Sequence, residues 1–314
     1  MITEKTVFVL GAGASVPFGF PTGAKLREDI CHLARRGYAF NEFLQRCGHS
    51  EHAIEHFRDE FQRSAVASID TFIGFRPNFQ ELAELSIAAN LLPLENPKAL
   101  LEAGGRSGNS DWYQLLWSEL LVGVSEPTDF LKNSASFVSF NYDRSLEHFL
   151  HGAISATFGL TSDDAHDVLA QVRIHHVYGT LGPYSRTAFL PYGGHDEAAL
   201  VAAMKAARDF IKTVPTVRSP IDQISADWLA EAQRVFVLGY GFDATNCDRI
   251  GLKNACGLAS KQVTPRQVFA SAYNLTSAEI RRNEQNSCKS GQGGLIWTSG
   301  DCMTLLRDRK DLLL

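Results

Sequence analysis

The 314 residues carry 30 lysines and arginines against 35 aspartates and glutamates, a formal net charge of -5, with 45% hydrophobic and 21% charged residues. That length suits one large core, or a core with an added lobe. The basic residues are dispersed instead of forming a stripe that would neutralise phosphates, which disfavours direct nucleic-acid binding, and no apolar run approaches the ~18 residues that cross a bilayer.

The N-terminus, MITEKTVFVLGAGAS, holds an acidic residue and a short strand-like run where a signal peptide would have a basic and then apolar stretch, so a cytoplasmic protein is expected. It leads into the first predicted strand, TVFVL, and then into FVLGAGASVPFGFPTG. A strand running into glycines lets the backbone turn tightly and bring N–H groups and a helix N-terminus against a pyrophosphate, which fits Gly11, Gly13 and Ser15. The dehydrogenase fingerprint GxGxxG/A is broken, because its third position is Val16, and no second strand ending in an acidic residue follows at the expected distance. Taken alone, the glycines fit a tight strand-to-helix turn equally well.

The stretch TGAKLREDICHLARRG reads as the first long helix, with Thr22 as N-cap, Leu26, Ile30 and Leu33 on one face and Gly37 as its stop. About 120 residues then pass before the second strand, far more than a simple crossover uses, and a helical insertion lobe at about 25–130 is expected. Within it, Gly104 to Ser110 reads as an exposed loop.

Five further strands follow, in SFVSFN, RIHHVYG, RVFVLGYG, QVFASAYN and GLIWTSG, alternating with helical stretches. Apolar runs of this kind suit strands covered on both faces. The expected fold is therefore α/β, a Rossmann-like parallel sheet with helices on both faces, formed by residues 1–314 as a single domain. A smaller insertion is expected at about 183–224.

In open α/β sheets ligands bind beyond the carboxyl ends of the strands. In SFVSFNYDRSLE, alternation puts Ser139, Asn141 and Asp143 on one side, where Asn141 and Asp143 would share a crevice with the Gly11 loop; the same residues would also serve to turn the chain and cap the next helix. In RIHHVYGTLG, His176 and Tyr178 share a face, His175 points the other way and Gly179 allows a sharp exit. RVFVLGYGF repeats the strand-then-glycine device with Gly239 and Gly241, and Phe242 offers a flat face. IWTSGDC places Asp301 after the last strand.

This ordered set resembles the sirtuin superfamily, and specifically the sirtuin-like NADases of bacterial anti-phage defence systems: GAGAS with GFPTG, SIDTF, SFNYD, HVYGTLG, VLGYGF and the terminal SGDC lie in family order along nearly the whole chain. The resemblance implies that Ala12, Gly13 and Ser15 hold the phosphates of NAD, and that Gly239, Gly241, Phe242 and Asp301 lie towards the adenosine half. Asn141 and Asp143 match an Asn-x-Asp pair around the nicotinamide ribose, and Asp70 in SIDTF matches a recurring acidic position near the pocket, where it would equally cap a helix.

The departures are informative. The four-cysteine zinc module of deacylating sirtuins is missing: Cys31, Cys47, Cys247, Cys256, Cys288 and Cys302 are scattered without a Cys-x-x-Cys pair and read as buried free thiols, so no zinc is expected. The family's His-Gly pair is Tyr178-Gly179. A histidine with a pKa of about 6.5 takes a proton more readily than a tyrosine of about 10, so the base role falls to His176, with Tyr178 positioning substrate.

The expected activity is NAD hydrolysis to nicotinamide and ADP-ribose as the effector of an NAD-depleting, abortive defence. The resemblance also implies homo-oligomerisation and a helicase-type ATPase partner from the same operon. A catalytically inactive sensor or scaffold binding NAD or ADP-ribose is the alternative, with an ADP-ribosyltransferase or deacylase and a dehydrogenase further behind.

Overall fold

The computed structural model describes residues 1–32, 39–102, 111–187, 190–194, 196–213, 221–256, 266–289 and 294–313. Leu33, Gly37 and the Gly104–Ser110 stretch lie outside the described residues, as does part of the 183–224 segment.

Six strands form one parallel sheet: β1 (Thr6–Leu10), β2 (Ala135–Ser139), β3 (Arg173–His176), β4 (Arg234–Leu238), β5 (Gln267–Ser271) and β6 (Ile296–Thr298), in the spatial order β3-β2-β1-β4-β5-β6. The fold is thus the Rossmann-like α/β sheet expected, with its topological switch between β1 and β4. Alternation divides each strand between two cores. Phe137, Phe8, Phe236 and Phe269 stack side by side across β2, β1, β4 and β5 with ring centroids 5.3, 5.4 and 5.1 Å apart, while Val7, Val9, Val138, Val235 and Val237 face the opposite layer. Helices cover both layers, Ser145–Phe158 and Cys302–Asp308 on the phenylalanine side, Gln223–Glu231 and Ala244–Arg249 on the valine side.

Every described element between β1 and β2 is helical. At the heart of this insertion, residues 82–91 of the helix Gln80–Leu91 are all buried, so the helix is enclosed on every side. Phe57, Phe61, Phe72 and Phe79 pack around one another beside it. Of the predicted first long helix, the described part is Gly23–Cys31, with the Thr22 side chain accepting from the Lys25 amide and Leu26 and Ile30 buried. Among the described residues no helix is long and apolar enough to cross a membrane.

The register sets the site. Leu10, Ser139 and Leu238 end their strands abreast, so the residues that follow them, Gly11, Asn141 and Gly239, converge on one crevice.

Candidate active site

A cleft of about 540 Å³ lies over these strand ends, walled by Gly11 to Gly13, Ser15, Phe140 to Asp143 and Gly239 to Gly241 from the sheet and by Asp70 and its neighbours from the insertion. Gly11 opens a single helical turn, Ala12–Ser15. The β1 and β4 loops touch so closely that side chains are excluded: the Gly13 amide donates to the Gly239 carbonyl at 2.9 Å, and a Cβ on Gly11 would lie 2.5 Å from that same oxygen. Gly13 therefore contributes close approach, with its amide hydrogen spent on the neighbouring loop. The insertion buttresses the turn, because the buried Trp112 indole donates to the Ala14 carbonyl at 2.8 Å, and Phe18 stacks on Tyr113 at 3.8 Å.

Asn141 is buried against the glycine turn. Its Nδ2 donates to the Gly11 carbonyl at 3.1 Å and to Ser15 Oγ at 2.9 Å. Since a carbonyl only accepts, the amide orientation is fixed, and Oδ1 faces away with no partner among the described residues. Asp143, also buried, accepts from the Ser145 amide at 3.1 Å and from the Ser145 hydroxyl, which in turn accepts from Tyr113 at 2.8 Å. Burial pushes the Asp143 carboxyl up from its ordinary range, against the hydrogen bonds from Ser145 and Ser15 that hold it down. Asp143 thus both starts the helix Ser145–Phe158 and lines the cleft.

Asp70 does likewise. It sits in the first turn of the helix Ile69–Phe75, capped by Ser68, and faces the cleft while accepting from the Tyr142 hydroxyl at 2.6 Å. Burial raises its carboxyl, partly offset by that bond.

His176 and Tyr178 have different surroundings. β3 ends at His176, and a turn closed by the Gly179 amide on the His176 carbonyl at 3.2 Å carries Tyr178 away. Tyr178 lines the cleft, its hydroxyl donating to Asn246 and the Arg249 guanidinium lying 4.9 Å over its ring. Burial pushes its phenol further from neutral pH. His176 is absent from the cleft wall. Its Nδ1 lies 2.7 Å from the Asn141 carbonyl and its Nε2 2.7 Å from Glu147 Oε1, leaving neither nitrogen to serve a substrate. His175 points away, as expected, to Asp222 at 3.0 Å.

Three further residues also stand outside the cleft wall. Phe242, with φ of 50°, is 1% exposed and packs between Tyr240 and Trp297, so it offers no free face. Asp301 caps the helix Cys302–Asp308 through Thr304. Gly179, with φ of 72°, is needed because a Cβ there would meet the Phe210 carbonyl at 2.0 Å. Four residues outside the sequence motifs' assigned roles, Glu147, Trp112, Tyr142 and Arg144, also shape the site. The last is fully buried, doubly bonded to Glu95 of the insertion and donating to the Leu190 and Pro191 carbonyls. A signal existed in RSLEHFL, where Arg144 and Glu147 sit at the start of a helix facing back to a strand end.

The fold and cleft define a Rossmann-like α/β protein with a crevice at its topological switch point. Comparison with protein-family profiles gives no match, and comparison with curated proteins gives none.

Proposed function

We propose that the chain is an NAD hydrolase that releases nicotinamide and leaves ADP-ribose. The observation that carries this reading is Asn141: an amide clamped by its nitrogen to the glycine turn, with a buried, unpartnered acceptor oxygen on a cleft at the β1–β4 switch point. An unsatisfied buried acceptor costs about 1–3 kcal/mol, and on a cleft wall a bound donor can complete it. A ribose hydroxyl or a water has that donor. The ordered resemblance to sirtuin-like NADases supports the same reading.

In this mechanism the glycine turn takes the pyrophosphate, and the nicotinamide–ribose bond breaks to give an oxocarbenium-like sugar. The Asp143 carboxylate favours that cation and Asn141 Oδ1 orients the ribose or the entering water. Water adds to the sugar carbon, the bond electrons leave with neutral nicotinamide, and one proton is released. With His176 engaged on both nitrogens and the Tyr178 phenol pushed up, the cleft carboxylates Asp143 and Asp70 take that proton. By the same resemblance the enzyme acts inside the cell as a defence effector, controlled by self-association and an ATPase partner.

The test is nicotinamide release from NAD by the purified protein, alone and with its genomic neighbour, against Asn141→Ala. Release that vanishes in a folded Asn141→Ala protein is expected; undiminished release would refute the assignment. The second reading, a nucleotide sensor, is favoured by Tyr178 at the family's base position, and it predicts saturable NAD or ADP-ribose binding without released nicotinamide.

A further inference from the structure

We infer that His176 is a buried imidazolium and a positioning residue: clamped between the Asn141 carbonyl and the Glu147 carboxylate, it holds the exit of β2 in place only while both ring nitrogens carry protons.

The argument rests on what the two partners can do. The Asn141 carbonyl can only accept, so the nitrogen 2.7 Å from it, Nδ1, carries a hydrogen. Glu147 Oε1 stands 2.7 Å from Nε2, and an ionised carboxylate likewise only accepts. A neutral imidazole has one N–H and cannot donate to both. The His176 and Glu147 side chains are only 10% and 11% exposed, and Glu147 Oε2 has no partner among the described residues, so the imidazolium is what balances the carboxylate charge. The charged groups acting on His176 are Glu147 from the helix Ser145–Phe158 and Asp143 from the β2 exit. Burial alone would lower the imidazole, but the Glu147 charge and hydrogen bond, the Asn141 carbonyl and Asp143 together raise it above its ordinary value.

Loss of the Nε2 proton would set a lone pair against a carboxylate at 2.7 Å, and the two must part. Nδ1 keeps its proton, but a ring that swings away from Glu147 pulls on its hydrogen bond to the Asn141 carbonyl, on the same residue whose side chain grips Gly11 and Ser15. Titration behind the cleft is in this way transmitted to the glycine turn through one backbone unit.

Two measurements on the full chain test this. The first is ¹⁵N NMR of histidine-labelled protein, with the His176 signal assigned by its loss in His176→Gln. Both His176 nitrogens should stay protonated at pH ~8, where ordinary histidines are neutral; a neutral His176 at pH ~7 overturns the inference. The second is the pH profile of nicotinamide release. Glu147→Gln has an amide that donates to a neutral Nε2, so the pair no longer needs the proton and the alkaline limb should move up by about one pH unit or more. Glu147→Ala should lower kcat about tenfold or more with little change in KM. An unmoved alkaline limb in Glu147→Gln overturns the inference. The turnover arm rests on the NAD hydrolase reading and the NMR arm does not, so a doubly protonated His176 in a protein that never cleaves NAD would retire that reading and leave this one standing.

Discussion

Gly13 and Gly239 occupy each other's side-chain space: a Cβ on Gly239 would lie 2.1 Å from the Ala14 nitrogen and 2.3 Å from the Gly13 carbonyl carbon, and Gly239 has φ of 58° besides. Gly239→Ala should therefore combine a backbone clash with positive-φ strain and destabilise the fold by about 2–4 kcal/mol. Gly241, on the same loop, has open space around its Cβ direction. Gly241→Ala should shift stability by less than about 0.5 kcal/mol. Urea unfolding of the two variants checks the contrast, and equal losses would remove the steric account.

Asn141→Asp tests the amide orientation. It replaces a donor pair with a carboxylate facing the Gly11 carbonyl and the Ser15 hydroxyl oxygen. The expected cost is about 1–3 kcal/mol at neutral pH, diminishing as the pH falls and the carboxyl protonates. Chemical denaturation at pH ~5 and ~8 reads the difference.

The Arg144–Glu95 pair is buried to 1% and 0% side-chain exposure and ties the β2 exit to the insertion. Arg144→Met alone leaves Glu95 charged and enclosed, at an expected cost of about 3–5 kcal/mol. The double change Arg144→Met with Glu95→Leu should recover much of that loss. A double-mutant cycle measures the coupling, and additive losses would show the pair to be independent.

Half-buried His148 stacks on Tyr192 at 4.1 Å and meets the Tyr184 hydroxyl at 2.9 Å. Burial, then the His151 and Arg144 charges, lower it to about 4. Between that value and its unfolded value of about 6.5 the unfolded chain binds the extra proton, so this stability is present above pH ~6.5 and is lost as pH falls through the window. Discounted for partial exposure, the loss is roughly 2 kcal/mol at most. His148→Gln should flatten the fall in Tm between pH ~7 and ~5.

All six strands were legible in the sequence because each is a short apolar run bounded by glycine or polar residues, as in TVFVL before Gly11 and RVFVL before Gly239. The convergence of Asn141 and Asp143 on the Gly11 loop followed from parallel order alone. What escaped is set by distant pairs and by where a strand stops. His176 and Tyr178 stand two residues apart, but β3 ends at His176, and of the two Tyr178 reaches the cleft wall. His176 looked available because its acceptor, Glu147, is 29 residues away on another element. Phe242 looked like a platform, since no local signal tells that its ring is enclosed by Tyr240 and Trp297.

The cleft wall draws on residues from Gly11 to Leu275, and the β1 turn is held by Trp112 from the insertion, Asn141 from the β2 exit and Gly239 from β4. On the ribosome, then, the glycine turn emerges first and stays without its opposite wall until more than two thirds of the chain has followed. A product cut short before β4 lacks the loop that Gly13 leans on, and so lacks a formed crevice. On the proposed reading, an unfinished copy would therefore hold no site in which to cleave NAD.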